Sequence, residues 1–155
     1  MRKAKQPAKR LRTDAIELVE GCVGLGSRLV ARRLTQMLER DIAGVGMTLA
    51  QLGLMAHIAA ASDDTIGALA AKMCLDQSTL SRNLRALEAE GLVEIQIVES
   101  DLRRRAVWLT ERGARRLEKA IPIWRAANEK LAHLISIERV FQLVRETHAC
   151  LAVTR

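Results

Sequence analysis

The chain has 155 residues, 49% of them hydrophobic and 28% charged, with Trp108, Trp124 and Phe141 its only aromatic side chains. That length supplies one domain with a substantial core, and a core drawn from Leu, Ile, Val, Ala and Met on long periodic segments favours helices over a sheet-rich fold. The formal charge of +7 is concentrated at one end: six of the 25 basic residues and no acid lie in residues 1–13, which leaves 19 basic against 18 acidic groups elsewhere. The tail is therefore expected to be flexible and able to follow phosphates, while the folded body is nearly neutral. No apolar run follows the basic start before Asp14 and Glu17, so neither a signal peptide nor a membrane span is predicted, and a cytoplasmic location is expected. Cys22, Cys74 and Cys150 are odd in number and widely spaced, which argues against a disulfide framework.

The first predicted element is one helix from about Asp14 to Asp41, with Leu18, Cys22, Leu25 and Leu29 on one stripe. Gly21, Gly24 and Gly26 interrupt it, each at about 1 kcal/mol relative to alanine, so a close backbone approach or a soft region is expected there. Thr48-Leu49-Ala50-Gln51 reads as a capping box opening the second helix. Leu49, Leu52, Leu54, Met55 and Ile58 cover nearly every side of that helix, which predicts a position between layers. A short helix at Thr65–Met73 follows, then Cys74-Leu75.

Asp76 is a good N-cap for the next helix, and Leu80, Leu84 and Leu87 form its inward face. The opposite face carries Ser78, Arg82, Arg85 and Ala89, flanked by Thr79 and Ser81. Small hydroxyls there permit close approach, and arginines can reach guanine edges or phosphates. Glu88 and Glu90 fall toward the far end, away from phosphate. A face with two arginines is, taken alone, an ordinary solvated surface. Gly91 closes this helix and Leu92–Val98 alternate as a strand. Glu99–Arg104 then read as an arginine-rich turn, with Ala106–Leu109 returning and Thr110 capping the next helix. Asp101 can bridge to Arg103 across the tip and hold it extended for a narrow minor groove, with Arg104 and Arg105 beside it.

The remaining sequence is helical. Leu117, Ile121, Trp124, Asn128, Leu131 and Ile135 repeat at heptad spacing, which fits either a dimer seam or the chain's own core. Pro122 predicts a bend near residues 118–122. Ile137, Phe141, Val144, His148 and Leu151 form the stripe of a last helix. Two long apolar-faced terminal segments exceed what a small domain needs to cover itself, which favours dimerisation. The fold class is thus mainly α with a small β-hairpin wing, a winged helix-turn-helix at 47–113 plus dimerisation helices at 14–46 and 114–153.

From DQSTLSRNLRALEAEGLVE at 76–94, Asp101-x-Arg103, Leu109-Thr110-x-x-Gly113, and Thr48 with Gln51, the chain is identified as resembling the MarR (multiple antibiotic resistance regulator) family over residues 14–150. The resemblance implies an obligate homodimer whose first and last helices interlock, reading a pseudo-palindromic operator in double-stranded DNA. It further implies a repressor released by a small ligand or an oxidant, with any effector pocket between helices one, two and five. The helix-one glycines and Met55 would be its lining, although a Met on such a helix is more often core.

Some relatives sense oxidants through a cysteine in the first helix, assisted by tyrosines that this chain lacks. Cys22 lies within an apolar stripe and is therefore expected to be buried and structural. Cys74 stands where the family commonly has glycine, beside the amino end of a helix. His57, His133 and His148 lack the spacing of a metal site. No cofactor is expected. No nucleophile and base, paired carboxylates or phosphate loop assemble, which argues against an enzyme. A winged-helix module that binds protein without DNA specificity is the remaining alternative.

Overall fold

The computed structural model describes residues 9–61, 65–98 and 101–153, the side chains at 9, 97, 98, 101–104 and 149–153 excepted. Along these residues the order is α1 (Lys9–Gly21), α2 (Val23–Ile42), a 3-10 turn (Ala43–Val45), α3 (Leu49–Ala59), α4 (Ile66–Lys72) and α5 (Gln77–Ala89). A hairpin of β1 (Val93–Val98) and β2 (Asp101–Leu109) follows, then α6 (Glu111–Ala132) and α7 (Ile137–Val153). Two compact units divide the chain, Met1–Met37 and Leu38–Arg155.

In the first unit two helices replace the single one expected. Helix α1 starts at Lys9, inside the segment that charge marks as tail, because Lys, Arg and Leu are good helix formers whatever their sign. The break falls at Cys22, between Gly21 and Gly24. Backbone bonding nevertheless crosses it, from Cys22 N to Leu18 O and from Gly26 N to Cys22 O, both at 3.0 Å. Cys22 is exposed, contrary to the expectation of burial, as are Leu18, Leu25 and Leu29 of its stripe. Among the described residues of this unit, no third element lies over such a stripe.

The second unit holds the core. Ile42, Leu54, Met55, Leu80, Leu84, Leu87, Leu92 and Val107 are fully buried, each leucine contributing about 2 kcal/mol relative to an exposed position. Helix α3 packs on both α6 and β2, which explains its apolar character on most sides. Thr48 and Gln51 close the predicted capping box: Gln51 N donates to Thr48 Oγ1 at 3.1 Å and Thr48 N to Gln51 Oε1 at 2.9 Å.

Helices α4 and α5 end in the same way. Leu75 N reaches back to Ala70 O at 3.0 Å, and Leu92 N to Leu87 O at 2.9 Å. Each wrap needs a left-handed residue, supplied by Gly91 (φ 67°) and by Cys74 (φ 52°). Glycine suits this position, and a side chain there costs about 1 kcal/mol, so the family's usual residue at Cys74 has a backbone reason.

Strand pairing runs from Val93 opposite Leu109 to Ile97 opposite Arg105, then shifts to Val98 opposite Asp101. Residues 101–104, expected in the turn, therefore belong to the returning strand, because this pairing takes the ladder out to residue 101. Val93 and Val107 are buried, and Ile95 and Leu109 pack against the same core. Thr65 adds an isolated antiparallel bridge to Ala106.

Helix α6 runs through Pro122 without a break. Its buried face is Gly113, Leu117, Ala120, Ala127 and Leu131. Two residues of the expected dimer seam, Leu117 and Leu131, thus sit inside their own chain. Ile121 and Asn128 are half-buried, and Trp124, Phe141, Val144 and His148 are exposed.

At the start of α6, a Cβ on Gly113 would lie 1.9 Å from the Leu92 carbonyl oxygen. Gly113→Ala is expected to destabilise the fold by about 3 kcal/mol. Gly53→Ala, in α3 with no atom within 4 Å of the added carbon, should instead be neutral or stabilise by up to about 1 kcal/mol. Urea denaturation of the two variants distinguishes close backbone contact from simple helix propensity.

Candidate nucleic-acid interface

Burial of Leu80, Leu84 and Leu87 fixes the rotation of α5. Ser78, Arg82 and Arg85 are consequently exposed, with Thr79 and Ser81 half-buried at the edges. These five predicted residues do share one face.

The amino end of α5 is organised by Asp76. Its carboxylate accepts from Ser78 Oγ at 2.5 Å, from Thr79 N at 2.8 Å and from Thr79 Oγ1 at 2.7 Å. The Ser78 hydroxyl above all, then the Thr79 amide and hydroxyl, holds the Asp76 carboxyl well below the usual carboxylate range. Arg82 donates to Thr79 Oγ1 at 3.3 Å, which orients its guanidinium along the helix. The hydroxyls at 78 and 79 are therefore already engaged and would have to exchange partners to donate to an acceptor in a groove.

Beside this face, a groove of about 310 Å³ runs between α5 and the hairpin, walled by Arg85, Glu88, Gln96 and Arg105. It brings a helix arginine and a wing arginine together across non-local sequence. Glu88 shares the groove, so it is less remote from the arginines than helical spacing suggests. The side chains of Asp101, Arg103 and Arg104 lie outside the described residues, as do residues 1–8 of the basic tail and the side chain of Cys150. Cys74 is exposed between α4 and α5.

A polar chain that sequence reasoning missed ties the far end of α5 to the rest of the unit. Gln51 Nε2 donates to Glu90 Oε1 at 3.1 Å, while Arg116 reaches Glu90 Oε2 at 3.3 Å and the Gly46 carbonyl at 2.8 Å. Pairings across 26 to 70 residues have no local signature.

An apolar cavity of about 630 Å³ lies between α3, α6 and α7, with His57, Ile121, Trp124 and Phe141 in its wall. Met55, a suggested lining residue, is wholly in the core.

A family model described as the MarR family matches residues 45–104, from the turn before α3 into the returning strand. The transcriptional regulator HosA of Escherichia coli O127:H6 is 38% identical over 73 residues, covering 45% of this chain and 54% of that protein. The chain thus matches about half the length of this curated relative. Among solved structures, the Mycobacterium tuberculosis transcriptional regulator MosR in complex with DNA aligns at a TM-score of 0.77 with 28% identity, over 86% of this chain and 98% of that one. AbsC, a MarR family transcriptional regulator from Streptomyces coelicolor, aligns at 0.71 with 22% identity over 98% and 99%, a likeness of fold.

An Asp whose folded pKa is depressed contributes stability that is present above the ordinary carboxylate range and is lost as pH falls through the folded value. Asp76→Asn retains an acceptor for the cap but has no charge to lose. Its unfolding free energy should fall less steeply than the wild type's below about pH 4, as measured by denaturation across pH.

Proposed function

We propose that the chain is a member of the MarR family, whose model matches residues 45–104, and that it is a sequence-specific DNA-binding transcriptional regulator, acting as a repressor. The observation that carries this reading is the exposed Ser78, Arg82 and Arg85 face of a helix locked in rotation by three buried leucines, next to a hairpin arginine, Arg105. A helix so presented suits a major groove and the hairpin suits the neighbouring minor groove. Arg103 and Arg104 are assigned to the same wing from the sequence alone.

The operating unit in this reading is a homodimer on a pseudo-palindromic site. Support comes from large apolar side chains left exposed on the terminal helices: Leu18, Val19, Leu25 and Leu29 near one end, Phe141, Leu143 and Val144 near the other. Exposure on this scale marks a surface that a partner covers. Trp124 and His148 belong to that proposed interface. Leu117 and Leu131 act from beneath, as the core that holds α6 in place. No described helix is long and apolar enough by itself to cross a membrane, and a cytoplasmic site of action follows from the proposed role.

Release by a small organic ligand has a candidate receptor in the cavity bounded by Trp124 and Phe141, whose 630 Å³ falls in the range of small-molecule sites. Cys74, exposed between α4 and α5, is the alternative input through thiol oxidation, whereas Cys22 lies on the stripe assigned to the proposed dimer interface.

Gel shifts on the DNA upstream of the gene, across a salt series, test the function. Affinity should fall steeply with salt and exceed that for random DNA, and Arg82→Ala should narrow that preference by roughly tenfold. Equal loss on both DNAs would reduce Arg82 to a phosphate contact. Absence of any sequence preference in the wild type would favour a protein-interaction module. An aromatic acid entering the cavity should alter Trp124 emission, a change that Trp124→Phe removes while leaving the Trp108 signal.

A further inference from the structure

A second cavity of about 620 Å³ lies between the Ala43–Val45 turn and the first half of α6. Its wall carries Arg112, Arg115, Arg116 and Lys119 against one carboxylate, Glu111, with Val45 and Ile123 as its apolar part. Positions 112, 115, 116 and 119 recur at helical spacing, so all four cations project from one face.

This arrangement disfavours the helix that carries it. Arg112 with Arg116, and Arg115 with Lys119, are like charges four residues apart, and the first turn of a helix prefers acids to bases. Internal partners offset only part of the repulsion. Arg115 pairs with Glu111, and Arg116 is held by Glu90 and the Gly46 carbonyl. Arg112 and Lys119 have no hydrogen bond or ion pair among the described residues.

We propose that this cavity binds a small multiply charged phosphate ligand of the pyrophosphate type. A monocarboxylate would occupy one guanidinium fork and leave the other cations facing each other. Linked phosphates present several acceptor oxygens over a short distance and match more than one fork. The Val45 and Ile123 side gives room to an uncharged substituent.

Duplex DNA fits the cavity less well. Through Arg116 and Glu90 the cavity adjoins the carboxyl end of α5, roughly 18 Å along the helix from the Asp76 end that bears the reading hydroxyls. The same contacts join it to α5 mechanically. A ligand that recruits Arg116 competes with Glu90, which is also held by Gln51 at the start of α3. Binding stands on the cavity alone, whereas any effect on DNA affinity rests on the function proposed above.

Titration calorimetry with inorganic pyrophosphate, in magnesium-free buffer at fixed ionic strength, tests the site without DNA. One pyrophosphate per chain is expected, with affinity at least about tenfold weaker in Arg112→Ala/Lys119→Ala and tighter in Glu111→Gln, which releases Arg115. Arg82→Ala/Arg85→Ala should bind pyrophosphate as the wild type does. Circular dichroism confirms that each variant is folded, and Glu111→Gln is a gain that unfolding cannot imitate. The proposal is overturned by no saturable binding, by equal affinity in Arg112→Ala/Lys119→Ala, or by loss in Arg82→Ala/Arg85→Ala. A shallower salt slope for DNA in the Arg112/Lys119 variant without pyrophosphate would also overturn it and make the groove a DNA contact.

Discussion

The end of α5 and the start of α6 meet backbone to backbone, and the candidate interface depends on that contact. Thr110 N donates to Leu92 O at 3.1 Å, and Thr110 Oγ1 both donates to Gly91 O at 2.7 Å and accepts from Gly113 N at 3.0 Å. Only a residue without a Cβ can lie against Leu92 so closely. One threonine thus caps α6, closes the base of the hairpin and takes up a carbonyl at the turn after α5. The angle between helix and wing is set there, and with it the distance over which two neighbouring grooves could be read.

With the body nearly neutral, any affinity for a polyanion in the proposed role has to come from placement. Asp76 shows how. A carboxylate at this end of α5 opposes an anion, yet it satisfies the first turn of the helix and anchors the Ser78 and Thr79 hydroxyls, the second of which steadies Arg82. Negative charge is used close to the surface to hold positive charge in one pose. Glu88 lines the same groove as Arg85 and Arg105 and lowers its net positive charge.

The two cavities of the second unit differ in chemistry because they use opposite faces of α6. The face bearing Ile121 and Trp124 meets α3 and α7 and encloses apolar space. The face bearing Arg112 to Lys119 meets the Ala43–Val45 turn and encloses charge. Arg116 joins the second of these to Glu90 and through it to Gln51, so disturbance on that side has a short covalent and hydrogen-bonded route to α5.

Local patterns made much of the fold legible from sequence. The Thr48 and Gln51 capping box, the Asp76 and Thr110 caps, the leucine spacing of α5 and the alternation of β1 depend on residues one to four apart, and such signals survive without knowledge of the rest of the chain. They placed the hydroxyls and arginines of α5 on one face. What they left undecided required distant partners. The heptad of α6 is compatible with either a seam or a core, and packing assigns Leu117 and Leu131 to the core. Arg105 reads only as an arginine beside the turn until strand pairing with Ile97 places it in the ladder, in a groove with Arg85. Cys22 reads as buried because its neighbours are apolar, yet no described element of its unit covers its stripe. The tie from Arg116 to Glu90 and Gly46 has no counterpart in spacing at all. Periodicity determines which way a side chain faces relative to its own element, and only tertiary packing decides what stands opposite it.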